Sequence, residues 1–290
     1  MASFECARQW WLLAILLASA AGRLTVAQES SAPAQSTADR EKVKRLDFFR
    51  DRISALKLAA VDRRDEPFEL LTEPLITFEN PVSQMWDGLM FAWTDRGRPA
   101  AVLKCYYHSI NKRWGRTFVS LSPGRIEMVG GDKQLWTPAD GGLSFAPLPD
   151  AAKPAGDERR RLTQMRDFAR RFTMVDRWGL KDPTDYQLRL LPTPLLRYKT
   201  PDDVIDGAMF GYVVNSPEAL VLLEARKTAE GLAWHYAVAR FTRFAVTVSL
   251  DGKQIAEFPR LEAWPPTGVY FHDPVEMPDY PFARKEKTEP

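Results

Sequence analysis

A chain of 290 residues that is 27% charged yet carries a formal charge of only +2 has no strong single-sign field. That balance excludes the electrostatic footprint of a nucleic-acid binder or of a protein held on an anionic membrane surface. Two cysteines, one of them ahead of an N-terminal apolar run, exclude a disulfide framework and a cysteine-based metal site.

Residues 1–27 read as a signal peptide. Arg8 precedes an apolar run from Trp10 to Ala21, and Thr25-Val26-Ala27 offers a small-residue cleavage site. The run is shorter than the roughly 20 apolar residues that span a bilayer. An uncleaved anchor is the alternative. Cys6 stands ahead of the run, where it is not placed for lipoprotein acylation. Cleavage would remove Glu5, Arg8 and Arg23 and leave a charge of +1 with Cys105 as the one remaining cysteine. Cys105 lies in the apolar stretch 100–107 and reads as a small buried hydrophobe. The expectation is an exported protein, periplasmic or secreted, with no transmembrane segment in its mature chain.

Residues 28–39, rich in Ser, Ala and Gln, read as a flexible linker. Two units follow, 40–148 and 158–275, separated by a Pro-rich linker at 149–157 and ending in a charged tail at 276–290 that should be disordered. Each unit opens on a helical spacing: Leu46, Phe49, Ile53, Leu56 and Ala60, then Leu162, Met165, Ala169, Phe172 and Val175. The two helices share Arg-Leu-x-x-[Phe/Met]-Arg-Asp, beginning at Arg45 and Arg161. The arginine-rich second helix, Arg159 to Arg171, interleaves acids and reads as a solvated face.

After each helix the period drops to two. Unit one predicts strands at 68–78, 89–94, 100–109, 113–121 and 125–129. Unit two predicts Tyr186–Leu190, Ala208–Val214, Leu220–Arg226, Leu232–Phe241 and Phe244–Leu250, separated by spacers holding Gly, Pro or Asn. Asp87-Gly88-Leu89-Met90-Phe91-Ala92-Trp93 is matched by Asp206-Gly207-Ala208-Met209-Phe210-Gly211-Tyr212. The offset between matching residues is 116 at the helices, 119 to 120 through the strands, and 126 to 128 at the closing Trp136 and Trp264 segments. Steps that fall only at loops are what a duplication leaves. The expected fold is therefore α+β: two tandem repeats, each an amphipathic helix on a curved antiparallel sheet of about five strands. A single sheet or barrel shared by both copies is the runner-up.

Little in the sequence points to catalysis. Asp87-Gly88 and Asp206-Gly207 read as turn chemistry, Asp bonding its own backbone and Gly supplying a positive φ. The three histidines, His108, His235 and His272, have no metal-ligand spacing, and phosphate-loop, dinucleotide and nucleophile-elbow motifs are missing. No catalytic residue, metal or cofactor is assigned. The one asymmetry between the copies is Glu224, Arg226 and Arg240, where unit one has Lys104, Tyr106 and Ser120. A carboxylate flanked by guanidinium groups can bind a carboxylate, a sulfate or a sugar hydroxyl. A cross-strand ladder on the solvent face is the other reading.

Segments Arg161–Phe172, Leu188–Tyr198, Asp206–Phe210, Pro217–Arg226 and Thr94–Pro99 resemble a family of secreted planctomycete-type bacterial proteins with two tandem repeats. The resemblance implies export and the two-unit layout, and it carries no functional residue. The expected function is an exported, non-catalytic binding or envelope-associated module, its partner an unidentified ligand or envelope component and not a nucleic acid. The alternative is a secreted hydrolase whose carboxylates come from separate strands.

Overall fold

The computed structural model describes residues 37–81, 83–179 and 183–276. The expected signal peptide, most of the expected linker 28–39 and the tail beyond Glu276 lie outside the described residues; Thr37–Asp39 already belong to a helix. In the first half, α1 (Thr37–Ser54) runs into β1 (Leu56–Ala60). Then come β2 (Glu69–Asn80), β3 (Met85–Asp95), β4 (Arg98–His108), β5 (Arg113–Ser120), β6 (Ile126–Gly130), β7 (Lys133–Trp136) and the short β8 (Ala146–Pro147). The second half holds α2 (Glu158–Ala169), β9 (Phe172–Trp178), β10 (Thr184–Gln187), β11 (Arg189–Leu190) and β12 (Leu196–Tyr198). It continues through β13 (Val204–Val213), β14 (Pro217–Thr228), β15 (Gly231–Arg240), β16 (Ala245–Leu250), β17 (Lys253–Phe258) and β18 (Tyr270–Glu276). The fold is predominantly β, more so than the α+β reading implies. Among the described residues no helix is long and apolar enough to cross a membrane.

The strands form two main sheets, β18-β5-β4-β3-β2 and β11-β13-β14-β15-β8, with β12 also on β13. Two smaller sheets, β1-β6-β7 and β10-β9-β16-β17, lie beside them. Each main sheet is buried on both faces. On β3, Phe91 and Trp93 point into one core with Phe49 and Ile53 of α1, Leu58 of β1 and Met128 of β6. Their neighbours Met90 and Ala92 point the other way, into a core shared with Met209 of β13, Leu220 and Leu222 of β14 and Ala237 of β15. The second main sheet repeats the arrangement, with Phe210 and Leu223 facing Met165 of α2 and Met174 of β9. Double burial explains why these strands are apolar at both parities, a pattern that a sheet with one wet face does not show.

Two sequence expectations need correction. The helical spacing through Leu56–Ala60 and Phe172–Val175 belongs to strands, since α1 ends at Ser54 and α2 at Ala169. Those strands pair antiparallel with β6 and β16, so each half is not a simple meander. Likewise Tyr186–Leu190 is not one strand: Tyr186 pairs in a small sheet and Leu190 in a main sheet. Beyond it, Pro192 and Pro194 separate β11 from β12, as edge prolines with no N–H to donate do.

The Asp-Gly pairs are not turns. Asp206 lies within β13, 3% exposed, and accepts from Arg161 Nε of α2 at 2.8 Å and from Arg197 Nε at 2.9 Å. Asp87 of β3 likewise meets Arg45 Nε of α1 at 2.8 Å. The shared helix arginine and the shared strand aspartate are thus the two ends of one clamp. Each following glycine makes room for an aromatic ring. A Cβ on Gly207 would come within 2.7 Å of the Tyr198 ring, and one on Gly88 within 2.6 Å of the Phe78 carbonyl oxygen. Gly207→Ala is expected to lower stability by about 1 to 3 kcal/mol, the usual cost of overpacking, measured by urea denaturation. A change within error would mean that the tyrosine ring moves aside freely.

The chain ends of the two halves cross over. β8 leaves the first half and pairs with β15, Tyr236 opposite Ala146. β18, at the end of the second, pairs with β5 over seven residues, Tyr270 opposite Val119 to Glu276 opposite Arg113. The expected linker is anchored as well. Leu148, just ahead of it, is buried in the second half's core, and within it the Asp157 side chain caps α2 by accepting from Arg160 N at 2.9 Å.

Candidate functional site

Glu224 and Arg226 sit on β14, and the structure brings them together deep between the main sheets. The Glu224 side chain is 0% exposed. Arg98 of β4 grips it with a fork, Nε to Oε1 at 3.0 Å and Nη2 to Oε2 at 3.0 Å. Arg226 Nε donates to Oε2 at 2.6 Å, and Tyr198 Oη donates to Oε1 at 2.8 Å. Burial, and then the Glu224 carboxylate, push the Tyr198 phenol well above its usual range. All four contacts come from the protein itself, with Arg226 lying 4.0 Å over the Phe145 ring. Arg98 could not be paired with Glu224 from sequence, because the two are 126 residues apart and in different sheets.

Arg240 is elsewhere. It donates to the carbonyls of Thr242 at 2.9 Å, Phe244 at 2.6 Å and Pro259 at 2.7 Å. It therefore shapes the β15–β16 loop and meets no carboxylate of the Glu224 cluster.

That loop forms one side of a cavity of about 470 Å³ at the seam between the two halves. β4 supplies Lys104, Tyr106 and His108; β18 supplies Tyr270 and His272; Trp178, Phe244 and Trp264 come from the second half's loops and strand ends. The floor is polar and internal. Lys104 Nζ donates to Pro217 O at 2.8 Å and Ser216 Oγ at 3.2 Å and lies 3.4 Å from Glu218 Oε2. Ser216 Oγ donates to Glu218 Oε1 at 2.6 Å. Lys104–Glu218 and Arg98–Glu224 both run from β4 to β14, so the two main sheets are joined by two ion pairs of the same polarity.

Two titratable groups near this floor are strongly perturbed. Burial, aided by Glu218, raises the Asp176 carboxyl to about 7. Its Oδ2 accepts from Trp178 Nε1 at 2.6 Å, and its Oδ1 has no hydrogen-bond partner among the described residues. Burial, with Lys104 and Arg243 nearby, lowers His272 to about 4, its Nδ1 lying 3.0 Å from Thr117 Oγ1. His108 also lines the cavity, and its buried Nδ1 has no partner among the described residues. Cys105, next to this row but facing the first core, is a buried thiol pushed up to about 12 by burial. Among the described residues no cluster of three or more His, Cys, Asp or Glu could hold a metal ion.

A second cavity, about 580 Å³, opens at the other seam, lined by Arg63, Arg96, Arg98, Asp95 and Asp203 among others. Three of its four arginines are already matched, Arg63 to Asp95, Arg96 to Glu66 and Arg98 to Glu224, and Arg125 shares the lining with Asp62 and Asp202. The aromatic cavity was missed in sequence because Trp178, Phe244 and Trp264 stand singly and far apart along the chain. Arg243-Phe244, at the opening of the predicted strand Phe244–Leu250, was the one available signal.

Comparison with family models, curated proteins and solved structures returns no match.

Proposed function

We propose that this chain is an exported ligand-binding module, made of two copies of one helix-and-sheet unit, whose ligand occupies the aromatic cavity. The carrying observation is that cavity. It has a polar internal floor, aromatic walls, and a volume within the roughly 300 to 1,000 Å³ range of small-molecule sites. Duplication is supported by pairing order, since β1-β6-β7 recurs as β9-β16-β17 and β18-β5-β4-β3-β2 recurs as β8-β15-β14-β13 with β11 and β12 together in the place of β2. The offset that relates the copies also relates the cavities. Thr200, Ser122, Gly124 and Asp62 in the charged one correspond to Asn80, Thr242, Phe244 and Trp178 in the aromatic one. Thus one member of a matched pair of clefts has gained rings where the other has glycine and aspartate. On this reading Glu224 and Arg226 brace the clefts from within, and Arg240 sets the loop that carries Arg243 and Phe244.

The test is a panel of ring compounds scored by thermal shift. Hits are expected on the wild type, to be lost in Trp264→Ala and Phe244→Ala and kept in Arg170→Ala, at the C-terminal cap of the distant α2. Hits indifferent to the cavity variants would overturn the reading. Hydrolysis products in the same incubations would replace it with the hydrolase alternative. Export rests on residues 1–27, and N-terminal sequencing of protein from the producing cell should begin at Gln28; an intact Met1 would refute it.

A further inference from the structure

One wall of the aromatic cavity is a continuous stack. Trp178 and Phe244 have ring centroids 5.4 Å apart at 26°. The Arg243 guanidinium carbon lies 5.2 Å from the Phe244 ring and 5.3 Å from the Trp264 ring, so it is held between them. Trp264 then meets His272 edge-on at 5.9 Å. A guanidinium held against ring faces keeps its N–H edge free, and that edge fits an oxyanion in a two-pronged grip.

The charge balance of the cavity decides what is missing. Lys104 already has Glu218. His272 is held neutral by its burial and by the cations around it. Arg243 is solvent-exposed, and among the described residues no carboxylate pairs with it. The opposite cavity has no such surplus, since its four arginines, Arg63, Arg96, Arg98 and Arg125, share its lining with Asp62, Asp95, Asp202 and Asp203. Lysine-like point charge would steer any anion, but a stacked fork between two rings selects one that carries a ring of its own.

We infer that the aromatic cavity takes an organic oxyanion on a ring-bearing body, its charged group on Arg243 and its ring against Phe244 and Trp264. This rests on the cavity being the ligand site proposed above. Carboxylate, sulfate and phosphate share the required chemistry.

Isothermal titration with indole-3-acetate and its neutral isostere indole-3-acetamide, beside 2-naphthyl sulfate and 2-naphthyl phosphate, tests both layers. The wild type is expected to bind the acid about tenfold more tightly than the amide. The two naphthyl esters show which oxyanion is preferred. Arg243→Gln should abolish the acid's advantage and Arg243→Lys should keep part of it, while Trp264→Ala should weaken acid and amide alike. Equal binding of acid and amide to the wild type would overturn the anion inference and leave the cavity as a ligand site. Binding unchanged by Trp264→Ala, or no binding of any of the four at millimolar concentration, would overturn both.

Discussion

Glu224→Gln is expected to destabilise the protein by about 3 kcal/mol. Removing one partner from a buried ion pair costs about 3 to 5 kcal/mol, because the remaining charge is left unmatched. The lower end applies here, since Arg98 and Arg226 each keep 19% of their side-chain surface exposed and so retain some hydration. Glutamine preserves size and can still accept from Tyr198, so the loss reports charge and not a hole. The matched control is Asp185→Asn, which breaks an open pair with Arg177 whose side chains are 51% and 59% exposed. Such a pair is screened by solvent and contributes little to stability. Urea denaturation of both variants decides between a clamp and a surface ladder. Equal midpoint shifts would favour the ladder that the sequence also allowed.

Asp176→Asn should do the opposite, and its effect should depend on pH. The Asp176 carboxyl titrates near 7 in the fold against an ordinary value of 3.8. Between those values the folded chain holds a proton that the unfolded chain has released, so stability falls as pH rises through this window. Asparagine removes that loss. The gain should be negligible near pH 4 and largest above pH 7, where about 1.4 kcal/mol per unit of pKa shift sets a ceiling of about 4 kcal/mol. His272 acts in the reverse sense. Held near 4 against an ordinary 6.5, it supports the fold fully above pH 6.5, and that support is lost as pH falls toward 4. The two slopes oppose each other in the wild type. Melting curves from about pH 4 to pH 8 should therefore steepen upward with pH in Asp176→Asn and downward in His272→Gln. A flat difference between wild type and Asp176→Asn across that range would show that the carboxyl titrates normally.

Local features were legible in the sequence. The helical character of Leu46–Ile53 and Leu162–Ala169, the hairpin spacers at Asn215 and Asp251, and the buried state of Cys105 all follow from patterns within a few residues. The ends of the helices were not legible, because Leu56 and Phe172 satisfy a helical step as well as a strand alternation. Strand exchange was invisible for a different reason. Ala146–Pro147 and Tyr270–Glu276 acquire partners by the packing of one half on the other, and no local signal records that. The same distance hid the Arg98–Glu224 grip. Asp206 was misread because Asp-Gly before an apolar run matches a turn in composition, while Arg161, which explains it, lies 45 residues away.

The two cross-sheet bonds have a bearing on how this molecule behaves when crowded. Both cations, Arg98 and Lys104, belong to the first main sheet, and both anions, Glu218 and Glu224, to the second. Two first sheets from separate molecules, laid face to face, would trap like charge in a dry seam, whereas the second sheet's Glu224 already carries Arg226 beside it. The first sheet therefore mates with an unlike face, a discrimination built on repulsion as much as on attraction. Any exchange between neighbouring chains must therefore restore the same mixed pairing, which opposes the stacking of first sheets on one another.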